Sequence, residues 1–326
     1  MESPLLKTPG AVAADAPDQE IAAHYGDPSK EQRALERGAA FVDRSNRGVL
    51  KVTGPDRLRW LHSLLSQHLE GLAPFTPTEA LLLDPKGHVE HHMFVVDDGE
   101  ATWAHVEPGA AAPLAEFLDR MRFMLRVEVA DVSADYMVVT GPPRDGGPSW
   151  PDVAGTQTRI VPRGEFPEGL EPAGLWAYEA LRIAEHRPRF GLDTDERTIP
   201  HEAGYVETAV HLNKGCYRGQ ETVARVHNLG RPPRRLVFLH LDGSVDRLPA
   251  HGDPVEIPGG RAVGWVGSAA RHHELGPVAL ATVKRNVPVD AELLAGGVAA
   301  AQEVVVSPDT GANAQIALRR RPAKHG

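Results

Sequence analysis

Apolar and polar positions alternate along residues 47–52, and the period then lengthens: Leu58, Leu61, Leu65 and Leu69 recur at helical spacing, with Leu64 widening the stripe. A strand thus runs into an amphipathic helix, and Thr53-Gly54-Pro55-Asp56 between them supplies a cap with proline in the first helical turn. Residues 78–84 form an apolar strand, Asp84-Pro85-Lys86-Gly87 a turn, and residues 88–96 a returning strand. Residues 101–106 and 127–132 are further strands that flank an amphipathic helix over 113–124. A second pass through similar units starts at residues 136–140 and continues, after a Pro/Gly-rich loop over 141–151, with a strand at 158–161 and a helix at 175–186.

Beyond Asn228-Leu229-Gly230-Arg231-Pro232-Pro233, a clear breaker, the texture is all-β. Strands are predicted at 235–241, 253–257, 262–268, 278–283 and 303–306, with a hairpin at Gly259-Gly260, as in a small barrel or sandwich. Before the first strand, residues 30–41 read as a short helix, and residues 1–30 lack an apolar period and read as a mobile tail. The chain is therefore divided into a tail (1–30), two α+β subdomains (31–133 and 134–230) and a β-rich end (231–326).

Among 326 residues there is a single cysteine, which excludes a disulfide framework and a self-contained thiolate metal site and fits a reducing compartment. Neither a secretory apolar core at the N-terminus nor a run near the roughly 20 apolar residues of a membrane span is visible, so a cytoplasmic protein without membrane contact is expected. A net charge of −9 argues against stable nucleic-acid binding. Between Lys214 and Arg235, however, six cations face one acid, a local +5 that suits a small ligand with several carboxylates or phosphates, or a plain solvated face. Arg319-Arg320-Arg321-Pro322 reads as a solvated basic tail.

The cysteine lies in Lys214-Gly215-Cys216-Tyr217-Arg218-Gly219-Gln220-Glu221, just ahead of a helix that opens at Gln220 and carries Arg225. Two glycines allow a tight turn and close approach of a ligand. The helix N-terminus and the flanking Lys214 and Arg218 favour a thiolate, so Cys216 reads as a reactive thiol; the alternative is a small residue buried in the turn. His88, His91 and His92 do not make a metal site: on a regular strand His88 and His92 share a face but stand roughly 13 Å apart, and His91 points the other way. Phosphate-loop, dinucleotide, zinc-peptidase and nucleophile-elbow motifs are missing.

The run from Lys214 to Glu221 resembles the K-G-C-[FY]-x-G-Q-E motif of the YgfZ family, folate-binding relatives of the glycine-cleavage T-protein (aminomethyltransferase). Strand-Thr53-Gly54-Pro55-Asp56-helix, the turn Asp84-Pro85-Lys86-Gly87 and Ile199-Pro200-His201-Glu202-Ala203-Gly204 are similar to other segments of that family, over roughly residues 40 to 320. The resemblance implies a three-lobed ring of two α+β subdomains and a C-terminal antiparallel β-barrel around a channel for tetrahydrofolate or a one-carbon derivative. It also implies a role in maintaining iron–sulfur proteins, including radical enzymes that thiolate tRNA, with Cys216 as the active thiol and Lys214 and Arg218 tuning it. Expected folate contacts are the inward member of the His91/His92 pair, Arg182, Glu185, Tyr217, Gln220 and Arg225; the +5 segment would meet the glutamate tail.

Two departures bear on chemistry. T-proteins carry an aspartate on the strand after the glycine turn, where this chain reads Val89-Glu90-His91-His92-Met93, and Glu90 would reach that place only through a one-residue register slip. T-proteins also carry Leu-Arg-Leu-Glu where this chain has Leu181-Arg182-Ile183-Ala184-Glu185, which displaces the carboxylate by one residue, about 100° around a helix. The missing aspartate counts against a true aminomethyltransferase, and the displaced carboxylate implies a changed mode of folate binding; a non-catalytic folate-binding scaffold is the other alternative.

Overall fold

A computed structural model describes residues 2–311. Its helices are α1 (Pro28–Glu36), α2 (Arg57–Leu64), α3 (Ala111–Met121), α4 (Leu175–Ala184), α5 (Tyr205–Ala209) and α6 (Gln220–Asn228). The first five-stranded sheet is antiparallel, in the order Thr78–Leu83, Val89–Asp97, Ala101–Val106, Gly48–Thr53, Glu128–Asp131. On one face it carries most of the stripe expected of α2: Leu61, Leu65 and Leu69 are buried, with Trp60 in place of the partly exposed Leu58, against Leu50, Val52, Leu82, Val95 and Leu114. The helix itself ends at Leu64, and Leu65 and Leu69 keep their apolar role from the loop that follows.

The second sheet runs Ser149–Pro151, Gln157–Pro162, Tyr136–Gly141, Ala40–Asp43, Glu171–Ala173, with the last pair parallel. Ala40–Asp43 thus joins a sheet otherwise made of residues 136–173, so the two α+β units interleave in sequence. The C-terminal strands Arg234–Leu241, Gly276–Lys284, Ala262–His272, Pro254–Glu256, Glu292–Ala295 and Val298–Val304 close into a six-stranded barrel, in that order around the ring. Periodicity placed its first four strands correctly and missed Glu292–Ala295, a four-residue strand in an Ala/Gly-rich stretch.

Helix α4 is buried on two sides. Leu175, Ala177, Tyr178 and Leu181 pack with Ile21, Leu35 and Val42, while Ala180 and Ile183 meet Leu236, Phe238 and Leu280 of the barrel. Burial on both sides explains why its sequence is apolar almost all round, Trp176 being the exposed exception. The expected mobile tail is instead built into the core: Ile21 is fully buried, Val12–Ala13 pairs with Ala22–His24, and Asp18 accepts two bonds from Arg189. A short segment without period can be ordered by a few buried anchors, which pattern alone does not register. The basic stretch Arg319-Arg320-Arg321-Pro322 lies outside the described residues. Among the described residues, no helix is long and apolar enough to cross a membrane.

Candidate functional site

The cysteine motif and the Asp84-Gly87 turn fold against each other. Gly219 has φ +80°, and a Cβ there would stand 2.5 Å from the Asp84 carbonyl oxygen and 3.0 Å from Gly87 Cα. Gly87, at φ +85°, leaves no room either, since its Cβ would come within 2.7 Å of Thr222 Cβ. Two glycines separated by over a hundred positions therefore serve one contact. Gln220 Oε1 accepts from the Tyr217 amide at 3.1 Å at the start of α6, and Tyr217 is buried with Leu81, Leu83, Val89 and Val223.

Cys216 is exposed, which removes the buried-turn alternative. Its cationic neighbours are engaged elsewhere. Lys214 Nζ donates to the backbone carbonyls of His62, Leu65 and Gln67 at the end of α2, where helical carbonyls lack partners, and lies 4.9 Å from the Tyr217 ring centre. Burial lowers the Lys214 ammonium to about 8. Arg218 pairs with Glu90 at 2.6 Å and covers Phe117. Lys214 and Arg218 thus fasten the Cys216 turn to the first sheet and to α2.

The local +5 is split by the fold: Lys214, Arg218 and Arg235 go elsewhere, while Arg225, Arg231 and Arg234 line one outer groove. Arg231 pairs with Asp309, Arg234 with Asp195 and Glu202, and Arg235 is buried in the barrel, bonding Val287 O and Gln302. Of the six cations Arg225 alone has no polar partner among the described residues, and it faces an outer groove with Lys86 and Arg197. Arg231 and Arg234 line the same groove, so half of the six cations stay together there, apart from the cavity.

Cationic groups converge instead on a cavity of about 230 Å³ between the first sheet, α4 and the segment after α4. Arg44, Arg47, Arg182, Arg187 and Arg189 stand on its walls with Glu79 and Glu107, and Phe94, Tyr178 and Tyr205 supply flat faces. Arg44 and Arg47 lie more than a hundred positions from the other three, and so no single charge run announced the set. Arg44 lies over the Tyr178 ring at 4.1 Å and bonds Asp152. Arg189 bonds Asp18 and Glu107, and Arg47 bonds Glu107 and His105 Nδ1. Burial alone would raise the Glu107 carboxyl, yet Arg189 and Arg47 hold it well below the usual carboxylate range.

Two buried polar atoms on these walls lack a partner: Arg47 Nη2 and Tyr205 Oη. Tyr205 is 3% exposed, and burial followed by the nearby Asp193, Glu79 and Glu107 pushes its phenol well above the ordinary value, so it is a donor at neutral pH. Arg187 makes one ion pair, with Asp152 at 2.9 Å, and is a third exposed. Like Arg47, it keeps donors that its protein partners do not use.

Of the His91/His92 pair, His92 is the inward member. It lines the cavity, bonds Glu79 Oε2 at 2.8 Å and packs on Phe94 and Tyr205. Glu79, buried, is held below the usual carboxylate range by that bond. His91 opens on an outer pocket with Phe117 and Phe190, and burial lowers its imidazole. The register does slip: Leu82 pairs with His91 but Leu83 with Val89, so Glu90 is the extra residue of a bulge. The slip turns Glu90 outward to Arg218, and no carboxylate from this strand enters the cavity. It also cancels the shared face expected of His88 and His92; His88 pairs with Asp84 at 2.9 Å.

Arg182 reaches the cavity but has no donor left for a ligand. All five of its N–H groups are used: two on Glu179, one each on Asp193, Ser268 Oγ and the Arg187 carbonyl. It joins α4, the following segment and the barrel. Glu185 caps α4 and accepts from the Ala154 amide at 2.5 Å, away from the cavity. Tyr217, Gln220 and Arg225 do not line it either. His186, which follows, does so in the left-handed region at φ 59°, costly for a non-glycine residue.

No protein-family model matches the chain. It is 25% identical over 239 residues to a mitochondrial iron–sulfur cluster assembly factor of Mycosarcoma maydis, covering 63% of this chain and 59% of that protein. The chain thus spans less than two thirds of that relative's length. An aminomethyltransferase of Lysinibacillus sphaericus is 25% identical over 328 residues, covering 85% of each. Among solved structures, the glycine-cleavage aminomethyltransferase T of Bartonella henselae superposes with a TM-score of 0.78 over 94% of this chain and 96% of that one, at 17% identity. The fold is the aminomethyltransferase fold. The α+β units and closed antiparallel barrel expected from the sequence are those of this fold.

Proposed function

We propose that this chain is a folate-binding protein of the YgfZ type that supports assembly or repair of iron–sulfur proteins, with Cys216 as its functional thiol. The observation that carries the folate part is the central cavity, whose aromatic faces and two unpartnered buried donors, Arg47 Nη2 and Tyr205 Oη, suit a flat heteroaromatic ring rich in acceptors. Those residues fit the pterin of tetrahydrofolate. At about 230 Å³ the cavity takes the ring rather than the whole cofactor, and a carboxylate tail would leave past Arg187. When bound, tetrahydrofolate supplies a nitrogen pair able to carry a one-carbon unit; the chain's own groups orient the ring and keep water from it.

Against methylene transfer by this chain stands the outward turn of Glu90, which leaves Glu79, already bonded to His92 and Thr208, as the carboxylate nearest His92. The second reading, a tetrahydrofolate-dependent aminomethyltransferase, is favoured by 85% mutual coverage with such an enzyme. The iron–sulfur reading is supported by similarity to an assembly factor and by a lone exposed cysteine held on a pinned turn. One cysteine cannot hold a cluster alone, so contact with a client's cluster would be transient or shared.

The test pairs two assays. In cells lacking the protein, activity of an iron–sulfur enzyme that thiolates tRNA should return with wild type and not with Cys216→Ser. Purified protein should release no ammonia from an aminomethyl-lipoyl carrier in the presence of tetrahydrofolate. Full rescue by Cys216→Ser defeats the thiol assignment, and turnover with the carrier defeats the iron–sulfur reading in favour of the transferase.

A further inference from the structure

A second cluster of chemistry-bearing side chains lies far from the cavity, where the last turn of α1 meets the end of barrel strand Ala262–His272. Glu36, His272 and His273 place one ligand atom each within 4.8 Å of one another. Glu36 Oε2 is 2.8 Å from His273 Nε2, and the His273 side chain is 6% exposed. Yet that nitrogen makes no hydrogen bond, because the ring's N–H direction misses the carboxylate. The buried ring nitrogen and the carboxylate oxygen thus stand at ion-pair distance without an aligned hydrogen bond, and a cation bound by both would take the place of the proton between them.

Geometry and charge agree with this. Gln32, one turn before Glu36 on α1, clamps the same strand end by donating to Arg271 O and accepting from the His273 amide, both at 2.9 Å, so the ligands are carried on a fixed junction. Glu36 closes α1, where a carboxylate meets the negative end of the helix dipole and gains from a compensating cation. Ligand distances of about 2.1 Å at tetrahedral angles put donor atoms about 3.4 Å apart, a shift of about half an ångström from the Glu36–His273 contact.

We propose that Glu36, His272 and His273 form a divalent transition-metal site of the zinc class, two imidazoles and one carboxylate with the fourth position open to water, which staples α1 to the barrel. Glu36 and His273 are the primary pair. His272 Nδ1 now accepts from the Glu274 and Leu275 amides at 3.2 Å, so its ring turns to join, giving up those two contacts.

Calorimetric titration of the full chain with zinc chloride, on metal-stripped protein carrying Cys216→Ser, tests this. One equivalent should bind, and Glu36→Gln and His273→Ala should each weaken it more than about a hundredfold, beyond the effect expected of an outer-shell partner. His272→Ala should weaken it less than His273→Ala. Cobalt(II) in place of zinc should give visible bands of a nitrogen–oxygen tetrahedral site, and with the native cysteine restored no thiolate charge-transfer band should appear. Glu36→Gln, at a half-exposed surface position, keeps the test valid should His273→Ala not fold. No binding to wild type, or binding unchanged by Glu36→Gln, overturns the site.

Discussion

Arg182→Met should remove the joint between α4, the segment after it and the barrel. Its guanidinium makes five bonds and is 4% exposed, and it faces Glu179 and Asp193, whose side chains are 12% and 0% exposed. Removing the cation leaves two buried carboxylates without their main partner, a change that costs about 3–5 kcal/mol in comparable buried pairs. Arg182→Lys keeps the charge, but one ammonium with three donors cannot reach acceptors spread around a planar fork, so it should recover less than half of the loss. In wild type, burial would raise the Glu179 carboxyl, but Arg182 and Arg189 hold it below the ordinary value; its contribution is present above that value and fades as pH falls through the lowered one. Without Arg182, burial dominates and the Glu179 pKa rises, so the variant binds protons on folding and its deficit should shrink as pH falls from 7 toward 5. Urea unfolding at both pH values measures this. A deficit under about 1 kcal/mol at pH 7, or one that grows toward pH 5, would refute a structural role and return Arg182 to the list of ligand contacts.

Gly219→Ala should destabilise by about 1–3 kcal/mol through the left-handed backbone and the clash with Asp84 O, and urea unfolding should show a smaller loss for Gly146→Ala, which shares the left-handed backbone at φ +86° but whose Cβ meets nothing within 4 Å. Lys214→Met should loosen the Cys216 turn by leaving three α2-end carbonyls unmet, costing about 2–4 kcal/mol, read as faster amide exchange over residues 62–67 and faster labelling of Cys216 by a thiol reagent. Glu107 folds with its pKa depressed, so its contribution stands above the ordinary carboxylate value and is lost as pH falls through the lowered one; Glu107→Gln should flatten the acid limb of the stability profile.

The fold was legible where apolar period was clean. The α2 stripe, the hairpin of residues 78–97 and four barrel strands follow from spacing, and the glycine-rich turn of the cysteine motif is where pattern put it. The cavity was not legible. Arg44 and Arg47 lie in the loop between Ala40–Asp43 and Gly48–Thr53 and Arg189 in the segment after α4, and only the packing of that segment against the loop brings them to one place. The visible charge run from Lys214 to Arg235 overstated the free charge for the converse reason: only Arg225, Arg231 and Arg234 share a groove, and all of the six but Arg225 find partners. Glu90 shows the limit of parity arguments, since one bulge residue, unmarked by glycine, reverses which side chains face inward.

The most direct test of the account is calorimetric titration of the folded, reduced protein with tetrahydrofolate, wild type beside Tyr205→Phe. That substitution deletes a buried hydroxyl with no partner, so stability should hold or rise, while affinity for the ligand should fall about tenfold through one lost hydrogen bond. Binding by wild type with weaker binding by an equally stable Tyr205→Phe is the predicted result. No binding by folded wild type, or equal affinity in both, would contradict a folate site in the arginine-walled cavity.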